Sequence, residues 1–420
     1  MIKEKIKIEK YYFLILLIGT ILSVGWVLAI PTVPFSDFDY YHQIATSVAT
    51  GGQWGDTYTT VGYSIALGFL YKLFGINIWV GKIFNLFLTV GSYLLMLGIL
   101  NKINIKERDK KILFALFVLF PCNIFYNSVL GTEILFTNLV LLATYVYFSD
   151  VKYKFIWIGI ITGLAAMVKQ QFLAFFFAIF LVDIIMNKKL AKALTSSLII
   201  LFVSIVVVSP WIYRNTKLIG QFTTIANNGG IVLYINNNSQ NQSGRWMPAA
   251  DVENSIVKTE AYEKANQTEK KKMLSTAAKK WIVNHPKEFT ILGFKRLYNT
   301  YFLGEDFGYA THGLNIGDYT NYTFMETYRF IKIIFFLPAI LYILGYSIII
   351  LKHILKRDTE KLDKYKVYLV VYFHMFNSIT FITEGQSRYS FPLTFAFIYC
   401  FYFFFINNAY SRLFRGKQTA

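Results

Sequence analysis

The chain has 420 residues, 55% of them hydrophobic, and the apolar residues fall in long runs separated by short lysine-rich pieces. That distribution excludes a soluble globular domain, where apolar and polar residues alternate at helical or strand spacing. The formal charge of +18 would suggest nucleic acid in a soluble protein, but among apolar runs it marks cytoplasmic loops, and no nucleic-acid partner is expected.

A hydrocarbon core of roughly 30 Å takes about 20 apolar residues per helix. Runs near 11–30, 79–100, 111–129, 131–148, 155–170, 171–187, 194–213, 330–351, 366–383 and 389–407 meet or approach that length. They predict an all-α polytopic membrane protein of about 10 spans. The first run follows the basic "MIKEKIKIEK" but is too long for the apolar region of a signal peptide, so it reads as a retained helix.

With the N-terminus in the cytoplasm, "NKINIKERDKK", "DVKYK", "NKKLAK", "LKHILKRDTEKLDKYK" and the C-terminal "SRLFRGKQ" all fall there too. Counting "TTVGYSIALGFLYKLFG" (59–75) as a span would invert every later loop. It is short and carries Lys72, which predicts an amphipathic helix lying in the outer interface. Residues 1–213 then form an N-terminal membrane region with an outer loop at 31–78, and residues 330–420 a C-terminal one. The outer loop at 214–329 is a small, mainly helical subdomain, in which "DVENSIVKTEAYEKANQTEKKKMLSTAAKKWIVNHP" reads as one or two helices ending at His285-Pro286. "KEFTILGFKRLYNTYF" continues as an amphipathic helix.

Asp37 and Asp39 open the first outer loop. In soluble glycosyltransferases an Asp-x-Asp chelates a metal on a nucleotide sugar, but nucleotide sugars are cytoplasmic and these carboxylates face outward. Any sugar donor there arrives on a lipid. Inverting transfer needs a base to take the proton of the attacking hydroxyl, and Asp37 is the first choice. Asp39 is assigned to orient Asp37, raise its pKa, or share a divalent cation with it. The plainer alternative is that the pair caps a helix beginning near Tyr40. No other cofactor is expected.

A polyprenyl-phosphate leaving group needs cations at the outer interface, where the positive-inside bias makes them unusual. Lys169, Arg214 and Arg388 sit at predicted outer helix ends, with snorkelling to headgroups as the alternative. Glu133 and Glu384 add acids at the same depth, and with Tyr40, Tyr41, Asn227 and Asn228 they are read as substrate-binding. For Glu384 the alternative is a salt bridge to Arg388 one helical turn away, and for "NNGGIVLYINNN" a Gly/Asn turn between short strands. His374 is read as a hydrogen-bonded core residue. Cys122 and Cys400 lie in apolar runs, with no second cysteine or histidine at metal-ligand spacing.

"PFSDFDYYHQIA", "GGQW", "TTVGYSIALGFLYKLFG" and "KIFNLFLTVGSYLL" together resemble the opening of GT-C fold glycosyltransferases of the family 39 (protein O-mannosyltransferase) and aminoarabinose-transferase kind. "FPCNIFYNSVLGTEILFTNL", "GIITGLAAMVKQ", "SPWIYRNTKLIGQFTTIANNGGIVLYINNN", "AAKKWIVNHPKEF" and "SRYSFP" resemble later landmarks in the same order. The resemblance implies a GT-C bundle with an extracytoplasmic active site and Asp37 as its catalytic carboxylate. It implies transfer of sugar from a polyprenyl-phosphate carrier, usually with inversion, to an envelope polymer, lipid or protein. The interval before "GY" lacks the charged and proline residues of that group, which leaves the phosphate to Lys169, Arg214 and Arg388. A glycan polymerase or ligase, which would not need Asp37, and a lipid flippase or transporter are the competing expectations.

Overall fold

The computed structural model describes residues 9–407, and among these no strand is present. In chain order the helices are α1 (Lys10–Ala29), α2 (Ser36–Ala49), α3 (Gly62–Phe74), α4 (Ile78–Lys102), α5 (Glu107–Val118), α6 (Pro121–Phe125), α7 (Thr132–Phe148), α8 (Lys154–Val168) and α9 (Phe175–Asn187). They continue with α10 (Leu190–Ile219), α11 (Gly229–Asn236), α12 (Glu260–Lys264), α13 (Gln267–Asn284), α14 (Pro286–Phe302), α15 (Asp306–Ala310), α16 (Asp318–Lys356), α17 (Lys364–Ile382) and α18 (Thr394–Phe401). Five helices are long and apolar enough to cross a membrane, and six if α5 and the Pro121–Ser128 segment, bent by 52°, count as one span. α7 and α8 are shorter apolar helices. This is the build of a polytopic membrane protein.

The predicted loops sort to two ends of the bundle. Lys111 pairs with Glu9 at 3.1 Å and Lys188 with Glu360 at 3.1 Å, while Lys154 and Lys364 both lie over the ring of Tyr147. The lysine-rich connections α4–α5, α7–α8, α9–α10 and α16–α17 therefore meet at one end, beside the start of α1. Both "SRLFRGKQ" and most of the basic N-terminal stretch lie outside the described residues. At the opposite end Asp37 meets Arg388 and Lys169 meets Glu133. α1 arrives at that end and α4 departs from it, so the segment that holds α2 and α3 begins and ends there. α3 has 13 residues, about 20 Å of helix, which is too short to span, as its sequence suggests.

The subdomain between α10 and α16 divides at the predicted break. Asn266 and Glu269 form a reciprocal capping box at the start of α13, and Pro286 stands at the first position of α14, where its missing N–H costs nothing. "NNGGIVLYINNN" is not a turn between strands but helix α11. Its Tyr234 and Ile235 pack with Leu274 and Ala278 of α13. The asparagine run ends it, because the amides of Asn236, Asn237 and Asn238 donate back to the carbonyls of Val232, Leu233 and Tyr234 at 2.8–3.0 Å.

The fully buried Arg296 of α14 ties this subdomain to the bundle. Its guanidinium donates to Phe381 O at 2.5 Å, to Asn236 O, and to Asn237 Oδ1 at 3.0 Å, joining the ends of α11 and α17. Burial pulls it down to about 10, so it stays charged at neutral pH. His374 does bond Ser347 Oγ, at 2.9 Å, but lies on the outer surface of the bundle instead of in its core. Gly385 passes so close to Arg296 that a Cβ there would fall 2.3 Å from Arg296 O. Gly385→Ala is expected to destabilise the protein by about 1–3 kcal/mol, read as a lower melting temperature of the purified protein in nanodiscs, whereas Gly345→Ala, where a Cβ would meet nothing within 4 Å, is expected to leave it unchanged.

Candidate active site

Asp37 lies in the first turn of α2, where the helix dipole favours a carboxylate. The chain enters that turn through Ser36 at φ 48°, a left-handed conformation that costs a non-glycine residue about 1–3 kcal/mol. The entry is held from outside: Val33 N donates to His312 O at 3.0 Å, and the His312 ring stacks on Phe35 at 3.9 Å.

Arg388 Nη2 donates to Asp37 Oδ2 at 2.6 Å, and its Nε to Gln386 Oε1 at 2.6 Å. The two partners differ in exposure, with side-chain values of 10% for Arg388 and 54% for Asp37. The cation is thus fixed within the protein, while the carboxylate remains open to a ligand. The Ser387 hydroxyl beside it contacts Leu303 O at 2.7 Å, Asp306 Oδ1, and Lys332 Nζ at 2.9 Å. Lys332 and Asp306 are both buried and stand 3.7 Å apart.

A cavity of about 360 Å³ opens on the Asp37–Arg388 pair and is lined by Asp37, Tyr40, Tyr41, Lys169, Asn228, Glu384 and Arg388. These seven are predicted site residues from four separate stretches of sequence. Lys169 Nζ is 3.3 Å from Glu133 Oε1 and lies over the Tyr389 ring at 5.4 Å. Glu384 does not pair with Arg388, since the chain between α17 and Ser387 is not helical; it accepts from Gln386 Nε2 at 2.8 Å and Tyr389 OH at 3.0 Å. Burial pushes the phenols of Tyr40, Tyr41 and Tyr58 upward, so they stay protonated donors at neutral pH.

Four predicted residues lie elsewhere. α2 begins at Ser36 instead of near Tyr40, so both aspartates are inside the helix, and two positions apart they turn to different sides. Asp39 accepts from Gln43 Nε2 at 2.6 Å and does not line the cavity. With Asp37 held by Arg388 the two carboxylates do not converge, and among the described residues no group of three or more potential metal ligands forms. These donors therefore do not fit a shared cation. Arg214 stacks on Trp211 at 4.4 Å and donates to Asp56 O at 3.0 Å and to Gly55 O, which makes it an anchor of the loop before α3. Asn227 is buried against that loop, its N–H donating to Thr57 O at 2.9 Å. Glu133 is buried behind Lys169.

The same loop explains the "TTVGY" interval. Thr60 Oγ1 donates to Val168 O at 2.8 Å, and Gly62 lies so close to Met167 that a Cβ would fall 2.6 Å from its carbonyl oxygen. The interval docks on the end of α8 and brings Tyr58 to the cavity. Tyr58, Trp246, Gln386 and Tyr389 line the cavity without having been singled out from the sequence. Lys332 was legible in principle, as a lysine inside an apolar segment.

No family model and no curated protein matches the chain. Among solved structures it is similar to the oligosaccharyltransferase of Archaeoglobus fulgidus, crystallised with an acceptor peptide containing the NVT sequon tethered through a disulfide bond. The match has 12% identity and a TM-score of 0.49, and it covers 94% of this chain and 49% of that one. The chain thus spans about half the length of that protein.

Removing one member of the buried Glu133–Lys169 pair leaves the other without its partner. Glu133→Gln is expected to cost about 3–5 kcal/mol. The double change Glu133→Gln with Lys169→Met is expected to recover most of it, as measured by denaturant unfolding of the four proteins of the cycle.

Proposed function

We propose that the chain is a GT-C membrane glycosyltransferase that moves a sugar from a polyprenyl-phosphate carrier to an acceptor of the cell envelope. The observation that carries this reading is one half-exposed carboxylate, Asp37, in a polar cavity that also holds Arg388 and Lys169. The cavity is at the end of the bundle opposite the lysine-rich loops, which by the positive-inside rule is the extracytoplasmic one. The resemblance of "PFSDFDYYHQIA" and the later landmarks to the family 39 and aminoarabinose-transferase group supports the same role for Asp37.

In this reading Asp37 takes the proton of an acceptor hydroxyl as its oxygen attacks the anomeric carbon. The bond from that carbon to the phosphate oxygen breaks, and the electron pair leaves with the polyprenyl phosphate. Charge growing on the phosphate is met by Arg388 and Lys169, with the hydroxyls of Tyr41 and Tyr58 and the amide of Asn228 available to the sugar. A single displacement by one base inverts the anomeric centre. Because Asp37 is bound to Arg388 at rest, the arriving phosphate competes for the guanidinium and leaves the carboxylate free to act as a base.

The test is transfer of labelled sugar from synthetic polyprenyl-phosphate sugars to envelope extracts by the full-length protein in nanodiscs. Asp37→Asn is expected to lower the rate by about 10²–10⁴-fold while polyprenyl-phosphate binding persists; equal transfer by both proteins would sink the proposal. Lys169→Met is expected to weaken polyprenyl-phosphate binding about tenfold, and Arg214→Met to leave it within about twofold, as measured by titration of the same nanodiscs.

A further inference from the structure

A second cavity, of about 560 Å³, lies against the first and shares Asp37, Arg388, Gln386 and Trp246 with it. Asp37 is therefore reachable from two chambers. Lys169 lines only the first. In the second, both cations are already neutralised: Arg388 by Asp37, and Arg245 by Glu305. The remaining walls combine small polar groups, Ser36 and Ser243, with the rings of Phe35, Phe38 and Tyr309.

We propose that this second chamber is the acceptor site and that it takes an uncharged saccharide whose ring lies on Trp246. The inference rests on the transferase reading above and adds the acceptor's chemical class. A base that serves an acceptor hydroxyl must touch the acceptor on a side the donor phosphate does not occupy. The chamber without Lys169 is that side. Trp246 is 65% exposed at the wall between the chambers, so a large apolar plane meets water where a ligand would sit. The C–H face of a pyranose covers such a plane while its hydroxyls reach Ser243, Gln386 and the Asp37 carboxylate, which suits the amphipathic character of an indole. A peptide binding by strand addition would need an open sheet edge, and no strand is present among the described residues. The volume is in the range of about 300–1,000 Å³ typical of small-ligand sites.

The test reads binding and not turnover, so it fails or succeeds apart from the transferase reading. Saturation-transfer NMR would be recorded on the full-length protein in nanodiscs with three probes: a set of methyl glycopyranosides, an acetylated tripeptide amide, and glycerol phosphate. The expected result is transfer to ring protons of at least one glycoside, reduced at least about fivefold by Trp246→Ala and retained in Trp246→Phe. Ser243→Trp, which fills an exposed position of the second chamber alone, is expected to abolish it, and added polyprenyl phosphate to leave it in place. Binding of the peptide or glycerol phosphate without any glycoside overturns the proposal. So does glycoside binding that survives both Trp246→Ala and Ser243→Trp, or that polyprenyl phosphate displaces. Should Asp37→Asn transfer sugar at the wild-type rate while the NMR pattern holds, the transferase mechanism fails and the saccharide site stands.

Discussion

The polar end of the bundle depends on a lysine and an aspartate held out of water. Lys332 and Asp306 have almost no exposure, and each is costly to bury unless charge and hydrogen bonds compensate it. Here the compensation comes from Ser387 and from the carbonyl of Thr300, 3.2 Å from the ammonium. Three stretches, α14–α15, α16 and the segment after α17, must converge for that pair to be tolerated. Once they do, the position of Ser387 is set, and with it that of Arg388. The reach of Arg388 to Asp37 then follows from backbone placement more than from the freedom of a long side chain.

Two of the three carboxylates in the resting site are matched by cations. Asp37 opposes Arg388, Glu133 opposes Lys169, and Glu384 is bonded by neutral donors. A site that kept two bare cations in a low-dielectric setting would be hard to fold, and one with a bare carboxylate would repel a phosphate. Pairing Asp37 and Glu133 with cations lessens both problems at rest. In the proposed reaction, a phosphate that displaced Asp37 from Arg388 would leave a base beside a neutralised leaving group in place of one salt bridge.

Much of this was visible in the sequence, because membrane proteins state their layout in hydropathy and lysine placement. The helices, the two ends, the shortness of α3 and the break at His285-Pro286 follow from length, charge and proline chemistry, all local properties. The roles of Asp37, Lys169 and Arg388 as cavity residues were legible because ionised groups at outer helix ends are expensive and stand out. Direction was not legible. Whether Asp39 shares the face of Asp37 depends on where α2 starts, and a shift of a few residues turned a supposed pair into two groups facing apart. Arg214 carries the same chemical signal as Arg388, yet its carbonyl partners at Gly55 and Asp56 are fixed by tertiary contact and have no sequence signature. Glu384 and Arg388 are spaced for a helical pair, but the chain between them is not helical. Trp246 looks like any loop tryptophan until the cavities on either side of it are known.

α16 serves as a ruler for the site. From Lys332 to Lys356 it rises about 36 Å, slightly more than the roughly 30 Å of hydrocarbon it would cross. With Lys356 set at one edge of the hydrocarbon, Lys332 would stand just past the other. A lipid-linked substrate would present its phosphate there with its isoprenoid tail still dissolved in the bilayer. In the proposed reaction, the atoms within reach of Asp37, Lys169 and Arg388 would be the phosphate and the first sugar.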